Sequence, residues 1–583
     1  MLIPLIALPV LAAVSANSQA LDSRTLIKEV PSLPLGLYRH LQAAESAQLG
    51  NQEQDYLIGD SKQLPFLSPS SSSSSPSFTP HTFNQLVSHD PDVPAPSETE
   101  IDSNGKGEAT FKQRYWFDAT FYKKGGPVYL LDAGETNAEG RLPFLEKGIL
   151  RILSEATGGI GIVFEHRYYG ESFPVKNLTT DSYRFLTTLQ SIQDSNYFAE
   201  NVVLPGLEDV DLSPKRTPWI RYGGSYAGAT SALARKLYPE VWWGAIASSA
   251  VTTAIVDYWE YYVPIQEHAP KQCIEQLQNH TTTIDSILAV KNSFLTSSLK
   301  AYFGLPNVTN DADFVNALAV PLGSWQARNW DPKVGSKTFD RFCDALTASP
   351  TMNDKDSTES DLLPSWPSNP RKRLAEFSNY ANYIKEHVAA KCPEGIEQDE
   401  CFGTDIYEGD GLEEAPWKSW AYQFCTEWGY FIGAAPKGHP SIVSRLITPE
   451  YTGQICSKAF PPGKLNRVPS TPNATKINQY GSYELSYPRL AFIDGSADPW
   501  IGATPHSPHA KHRKDTLRKP FKIIPEGVHH WDENGLLDPT QEPKEIRKIH
   551  RDEIEFVRAW LKDWEGRGKW KMDPSRWEKD VDA

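Results

Sequence analysis

Six residues constrain this chain more than any others: Gly223-Gly224-Ser225-Tyr226-Ala227-Gly228. They follow an apolar run, Trp219-Ile220-Arg221-Tyr222, and lead into a stretch with helical spacing, Ala229 to Tyr238. A strand that passes into a helix through so short a turn leaves room only for small neighbours, which Gly223, Gly224 and Ala227 satisfy. Such a turn lifts the Ser225 hydroxyl clear of the carboxyl end of a sheet. The helix behind it points its positive end at the same spot. The generic pattern has Gly two residues after Ser, so Ala227 is a mild departure. Taken alone, the motif also fits an inert glycine-rich turn.

The flanking sequence repeats the same alternation. Pro127 to Asp132, Ile160 to Phe164 and Gly244 to Ser248 read as short buried strands, and Leu145 to Ala156 has helical spacing. Short apolar runs alternating with helices argue for a parallel sheet of βαβ units over residues 81–256. From Asp257 to Asn478 the texture becomes aromatic, polar and helix-rich. That stretch, residues 257–478, reads as a large inserted cap. The strand pattern resumes in residues 479–583 with Arg489 to Asp494 and Phe521 to Ile524. It closes on an amphipathic helix carrying Ile546, Ile549, Phe556, Val557, Trp560 and Trp564 near one face. No internal repeat is visible.

A serine nucleophile needs a base and an acid to orient it. Downstream of the turn, Asp494 and Asp498 compete as the acid, and Asp498 lies further into the loop beyond its strand. His529 and His530 follow the next strand. The order Ser, Asp, His, with both partners in strand-end loops, is the order of a hydrolase of this architecture. The backbone N–H of Tyr226 would supply one oxyanion donor. A second would come from Gly134-Glu135-Thr136, at Glu135, in the loop after a strand. No cofactor or metal is called for.

Composition narrows the setting. The chain has 583 residues, with 39% apolar residues, 17 Trp, 25 Tyr and 24 Phe, which excludes wholesale disorder. A net charge of −15 argues against a nucleic-acid partner. Residues 1–20 read as a signal peptide, with Ser18 and Ala20 framing a cleavage site. No other stretch is long enough to cross a membrane. Residues 21–80 read as a pro-region or mobile Ser/Pro-rich arm. Four sequons, at Asn177, Asn279, Asn307 and Asn473, mark glycosylation candidates. The six cysteines, Cys273, Cys343, Cys392, Cys401, Cys425 and Cys456, cluster in the cap region and suggest three disulfides. His506, His509 and His512 sit among Lys and Arg and read as a solvated loop.

Several blocks together resemble one family, the serine peptidases that include prolyl carboxypeptidase, dipeptidyl peptidase II, thymus-specific serine protease and the fungal acid prolyl endopeptidases. Phe111-Lys-Gln-Arg-Tyr-Trp116 resembles the family's opening block, Glu165 to Ser172 its E-H-R-Y-Y-G-x-S block, and Gly223 to Gly228 its serine turn. Asp498-Pro-Trp500, Gly527-Val-His-His530 and Trp420 to Glu427 resemble three more. The middle of the chain looks most like the fungal branch.

The resemblance implies an α/β-hydrolase fold, a mostly parallel sheet with helices on both faces, carrying a large inserted, disulfide-stapled helical cap. It makes Ser225 the nucleophile, Asp498 the acid and His529 the base. It implies cleavage on the carboxyl side of proline, often at acidic pH, acting on proline-containing peptides or proteins outside the cell or in a vacuolar or lysosomal lumen. Cys273–Cys343, Cys392–Cys401 and Cys425–Cys456 are the expected pairs, with connectivity left open by sequence. Glu165 and Arg167 are expected as a buried ion pair bracing the sheet. Endopeptidase, carboxypeptidase and dipeptidyl-peptidase modes stay open, as does a homodimer. Two rival readings remain: a lipase or carboxylesterase of the same fold, and an inactive hydrolase-fold binding protein.

Overall fold

The computed structural model describes residues 78–97, 100, 109–349, 370–404, 411 and 415–565. The signal peptide and nearly all of the Ser-rich arm read from residues 1–80 lie outside the described residues.

The sheet is built from β1 (His81–Leu86), β2 (Thr110–Asp118), β3 (Val128–Asp132), β4 (Ile160–Phe164), β5 (Trp219–Gly224), β6 (Trp242–Ser248), β9 (Leu490–Gly495) and β10 (Phe521–Ile524). Two further strands, β7 (Ile255–Asp257) and β8 (Gly429–Phe431), form a separate parallel pair. The eight strands lie in the order β1-β2-β4-β3-β5-β6-β9-β10. β2 runs antiparallel to both its neighbours, and β4 through β10 are parallel. This is the α/β-hydrolase arrangement.

The central strands are mostly apolar because both faces are covered, with Asp132, Arg221 and Asp494 as buried exceptions. In β3, Val128 and Leu130 face one core with Ile192, Phe198 and Leu233. Tyr129 and Leu131 face the other, with Leu150, Leu153, Phe556 and Trp560. Counting helices of eight or more residues, α1 (Ile149–Thr157) and α11 (Lys544–Glu565) cover this second face, and α2 (Thr188–Asn201) and α3 (Ser225–Leu237) the first. On α11, Ile546, Ile549, Phe556, Val557 and Trp560 are buried, as the sequence pattern required.

Three features differ from the sequence reading. The helix expected over Leu145 to Ala156 is broken into Pro143–Glu146 and Ile149–Thr157. The break falls at Gly148, where a side chain would lie 2.5 Å from the carbonyl of Glu533. The antiparallel β1 and β2 carried no strand signal. Neither did α2 show helical apolar spacing, because its buried face includes Gln190, Ser191, Asp194, Ser195 and Asn196.

Between β6 and β9 the chain is mainly helical: α4 (Lys271–Ala289), α5 (Ser293–Tyr302), α6 (Asp311–Gly323), α7 (Thr338–Thr347), α8 (Pro370–His387), α9 (Ala415–Gln423) and α10 (Pro449–Ala459). Its core, around Leu277, Phe303, Phe314, Trp325, Phe342 and Ile384, is continuous with Tyr226, Ala229, Ala497 and Val528 beneath it. Disulfides join Cys273 to Cys343, Cys392 to Cys401 and Cys425 to Cys456. The first ties α4 to α7. The last ties α10 to a π-helical turn, Phe424–Trp428, that continues α9. Among the sequons, Asn279, Asn307 and Asn473 are exposed. Asn177 is half-buried, and its side-chain oxygen accepts from Ser182 Oγ at 2.7 Å.

Candidate active site

The site forms where β5, β6, β9 and β10 end side by side. Ser225 begins α3 directly after β5, with φ at +58°. That left-handed backbone is strained for any residue with a side chain. The two residues before it must be glycine. A Cβ on Gly223 would lie 2.2 Å from the carbonyl of Ala227, and one on Gly224 would lie 2.6 Å from Glu533 Oε1. The turn is braced from beneath by a buried ion pair, Arg221 with Asp132, and Thr230 Oγ1 donates to the same carboxylate at 3.0 Å.

Two strands away, the loop after β9 presents Asp498, fully buried. His529, in the loop after β10, donates from Nδ1 to Asp498 Oδ2 at 2.9 Å, with Oδ1 at 3.1 Å. The Trp500 N–H donates to Asp498 Oδ1 at 2.9 Å, and the Ser249 hydroxyl bonds the same carboxylate. Burial alone would raise the Asp498 pKa. The positive histidine beside it and the three donors outweigh that and hold it below the ordinary carboxylate value. Burial alone would lower His529. The Asp498 carboxylate, with Glu135 and Glu533 nearby, reverses the sign and holds the imidazole above its ordinary value.

Asp494, the competing acid, points elsewhere. It pairs with His506 Nδ1 at 2.5 Å, and the His506 ring stacks on Phe521 at 3.6 Å. The expectation of a solvated loop is therefore wrong for His506, which the Asp494 carboxylate and the Phe521 ring draw inward. His512 is exposed, and His509 bonds Glu260 at 2.7 Å. His530 takes a separate partner, Glu533, at 2.8 Å, and its backbone N–H donates to Ser249 Oγ at 2.9 Å. Gly224 lies against this His530–Glu533 pair, which seats the serine turn beside the histidine loop.

The oxyanion candidates adjoin the turn. Tyr226 is the second residue of α3, and Gly134, before Glu135, lies so close that a Cβ there would be 3.3 Å from that of Ala227. Burial raises the Glu135 carboxyl above its ordinary value. Tyr226 is fixed from behind: its hydroxyl donates to His166 Nε2 at 3.1 Å, while His166 Nδ1 donates to the Arg167 carbonyl at 2.7 Å. Glu165 and Arg167 do not pair with each other. Glu165 binds Arg114 at 2.7 Å and Arg167 binds Asp194 at 2.5 Å, each carboxylate and guanidinium finding a different partner. Ser249 and Glu533 had no motif to reveal them. The one available signal was position, just after β6 and just after the histidine pair.

Among the described residues, no group of three His, Cys, Asp or Glu side chains could hold a metal, and no helix is long and apolar enough to cross a membrane. Residues 102–551 match the family described as serine carboxypeptidase S28. The chain belongs to that family. It is thus a serine peptidase by descent. A protein of Arthroderma benhamiae named as a probable extracellular serine carboxypeptidase is 39% identical over 502 residues, covering 83% of this chain and 68% of the relative. The thymus-specific serine protease of Mus musculus is 24% identical, over 79% of this chain and 86% of its own length. Among solved structures, VinJ aligns over 80% of this S28 chain and all of its own, at 12% identity and a TM-score of 0.31.

Proposed function

We propose that this protein is an extracellular or lumenal peptidase that cleaves on the carboxyl side of proline through a Ser225–His529–Asp498 triad. The observation that carries the reading is the buried Asp498–His529 pair, with the next residue, His530, lying against Gly224, just before a serine held at positive φ. Ser225 attacks the scissile carbonyl while His529 takes its proton. Asp498 fixes the imidazole tautomer and stabilises the imidazolium. Backbone N–H groups of Tyr226 and Glu135 receive the oxyanion. His529 then protonates the leaving amine, and water releases the acyl group.

Aromatic rings flanking the triad support the proline preference. Trp500 is half-buried, its ring 6.4 Å from that of His529, and it stacks on Tyr258 at 5.4 Å. Trp420, also half-buried, packs edge-on against Tyr226 at 5.7 Å. A compact ring with fixed φ fits such walls with little entropy to lose.

The test is mass spectrometry of products from one proline-containing peptide, with free and with blocked termini, at acidic and neutral pH. Cleavage after proline supports the reading, and the blocked peptide separates endopeptidase from exopeptidase action. Hydrolysis of p-nitrophenyl esters with no peptide product would overturn it in favour of an esterase.

A further inference from the structure

One short stretch of the cap, residues 325–331 directly after α6, touches the loops of both Asp498 and His529. Trp325, fully buried, donates from Nε1 to the carbonyl of Ala497 at 2.8 Å, one residue before Asp498. Gln326 Oε1 accepts from Trp500 Nε1 at 2.9 Å, two residues after Asp498, and from the Tyr261 hydroxyl at 3.1 Å. The same stretch then crosses to the histidine loop. Trp531 Nε1, two residues after His529, donates to the Arg328 carbonyl at 2.8 Å. Trp330 Nε1 donates back to the Trp531 carbonyl at 2.9 Å. Asp331 anchors the far end to Lys147, just before α1, at 3.6 Å.

Asp498 and His529 leave different strands in loops that have no ladder of their own. Their mutual geometry must hold to a fraction of an ångström for proton transfer. Indole N–H groups suit that task, since a rigid ring on two torsions reaches far and loses little entropy on fixing. Most of these bonds end on main-chain carbonyls, so they locate backbone rather than a mobile side chain.

We propose that residues 325–331 are a positioning strap that holds the Asp498 and His529 loops in register and makes catalysis depend on a seated cap. This rests on the triad reading above. Through Gln326 the strap also grips Trp500, so filling a proline pocket and aligning the Asp–His pair become one event.

The test uses the full-length enzyme with Trp330→Phe, which removes an N–H and keeps an aromatic ring, and Gln326→Leu at a half-buried position. Each should lower kcat about tenfold or more on a prolyl peptide and on a p-nitrophenyl ester. Fluorophosphonate labelling of Ser225 should slow in parallel. KM for the ester should stay within about twofold, and the acid limb of kcat/KM should move to lower pH as His529 loses its hold on Asp498. Trp243→Phe removes an indole N–H given to the Trp560 carbonyl at 2.8 Å on the far helix. It should lower Tm with kinetics intact. Strap variants that behave like Trp243→Phe, with kcat and labelling unchanged, overturn the proposal while the triad stands. A wild-type enzyme that is never labelled at Ser225 overturns the triad and the strap together.

Discussion

At the scale of single residues, the site is a set of local strains and pairings with separable costs. Ser225 sits at φ +58°. Ser225→Ala keeps that strain and removes the proposed nucleophile, so kcat should fall by about 10³ or more while the fold persists. Ser225→Gly should be equally dead but more stable than the alanine variant by about 1 kcal/mol, read from urea midpoints. Asp498→Asn should cut kcat by about 10³–10⁴ and shift the acid limb of kcat/KM downward, since the carboxylate that raises His529 is gone. An unshifted limb would show that Asp498 does not govern the histidine. Much of this was legible residue by residue: the turn needs glycines wherever it occurs, and strand-end Asp and His announce themselves by context. The choice between Asp494 and Asp498 was not a local matter. Each aspartate found a histidine, and which one depends on how the loop beyond β9 folds, with Ala497 N–H donating to the Gly527 carbonyl at 2.9 Å.

At the scale of elements, the strands covered on both faces were the readable ones. β3, β4, β5, β6 and β9 are short, mostly apolar runs buried almost throughout, and the few charges in them, Asp132, Arg221 and Asp494, do not break the pattern. The helix α2 was opaque for the opposite reason. It buries Asp194 to answer Arg167, and Ser195 to answer Arg221, so its inner face reads as polar. The π-helical turn at Phe424–Trp428 was equally hidden. It sets Trp428 edge-on against Tyr226 at 5.5 Å and is held by Cys425–Cys456 across 31 residues. Replacing both cysteines by serine should cost about 3 kcal/mol of stability in chemical denaturation. The same variant should raise KM for peptides more than for a small ester, because Tyr226 loses its backing.

At the scale of the molecule, titration sets the conditions under which the fold is strongest. Asp532, bonded by Ser248 and lying under the histidine loop, is pushed by burial up to about 7. Glu553 on α11 is buried with neither oxygen partnered among the described residues, and burial, with Asp532, Asp552 and Glu533 nearby, raises it well above the carboxylate range. A carboxyl whose folded pKa is raised binds more protons folded than unfolded, so stability falls as pH rises from about 4 through that pKa. His529, also raised, contributes stability below about 6.5 that is lost above its folded value. Asp498, lowered, acts at the other end, losing its contribution as pH falls below about 4. Stability should therefore peak in mildly acidic solution and decline toward pH 8. Glu553→Gln should flatten that decline between about pH 5 and 8, measured as denaturation midpoints. A curve identical to wild type would acquit Glu553. The paired β7 and β8 bear on the chain's history. Ile255 stands opposite Gly429, so everything between them is a closed loop whose two ends lie one strand spacing apart. A segment tethered at so narrow a gate can change in length or sequence without its two ends moving apart. Descendants that exchange it would keep the hydrolase scaffold yet have to reinvent whatever grips the loops of Asp498 and His529.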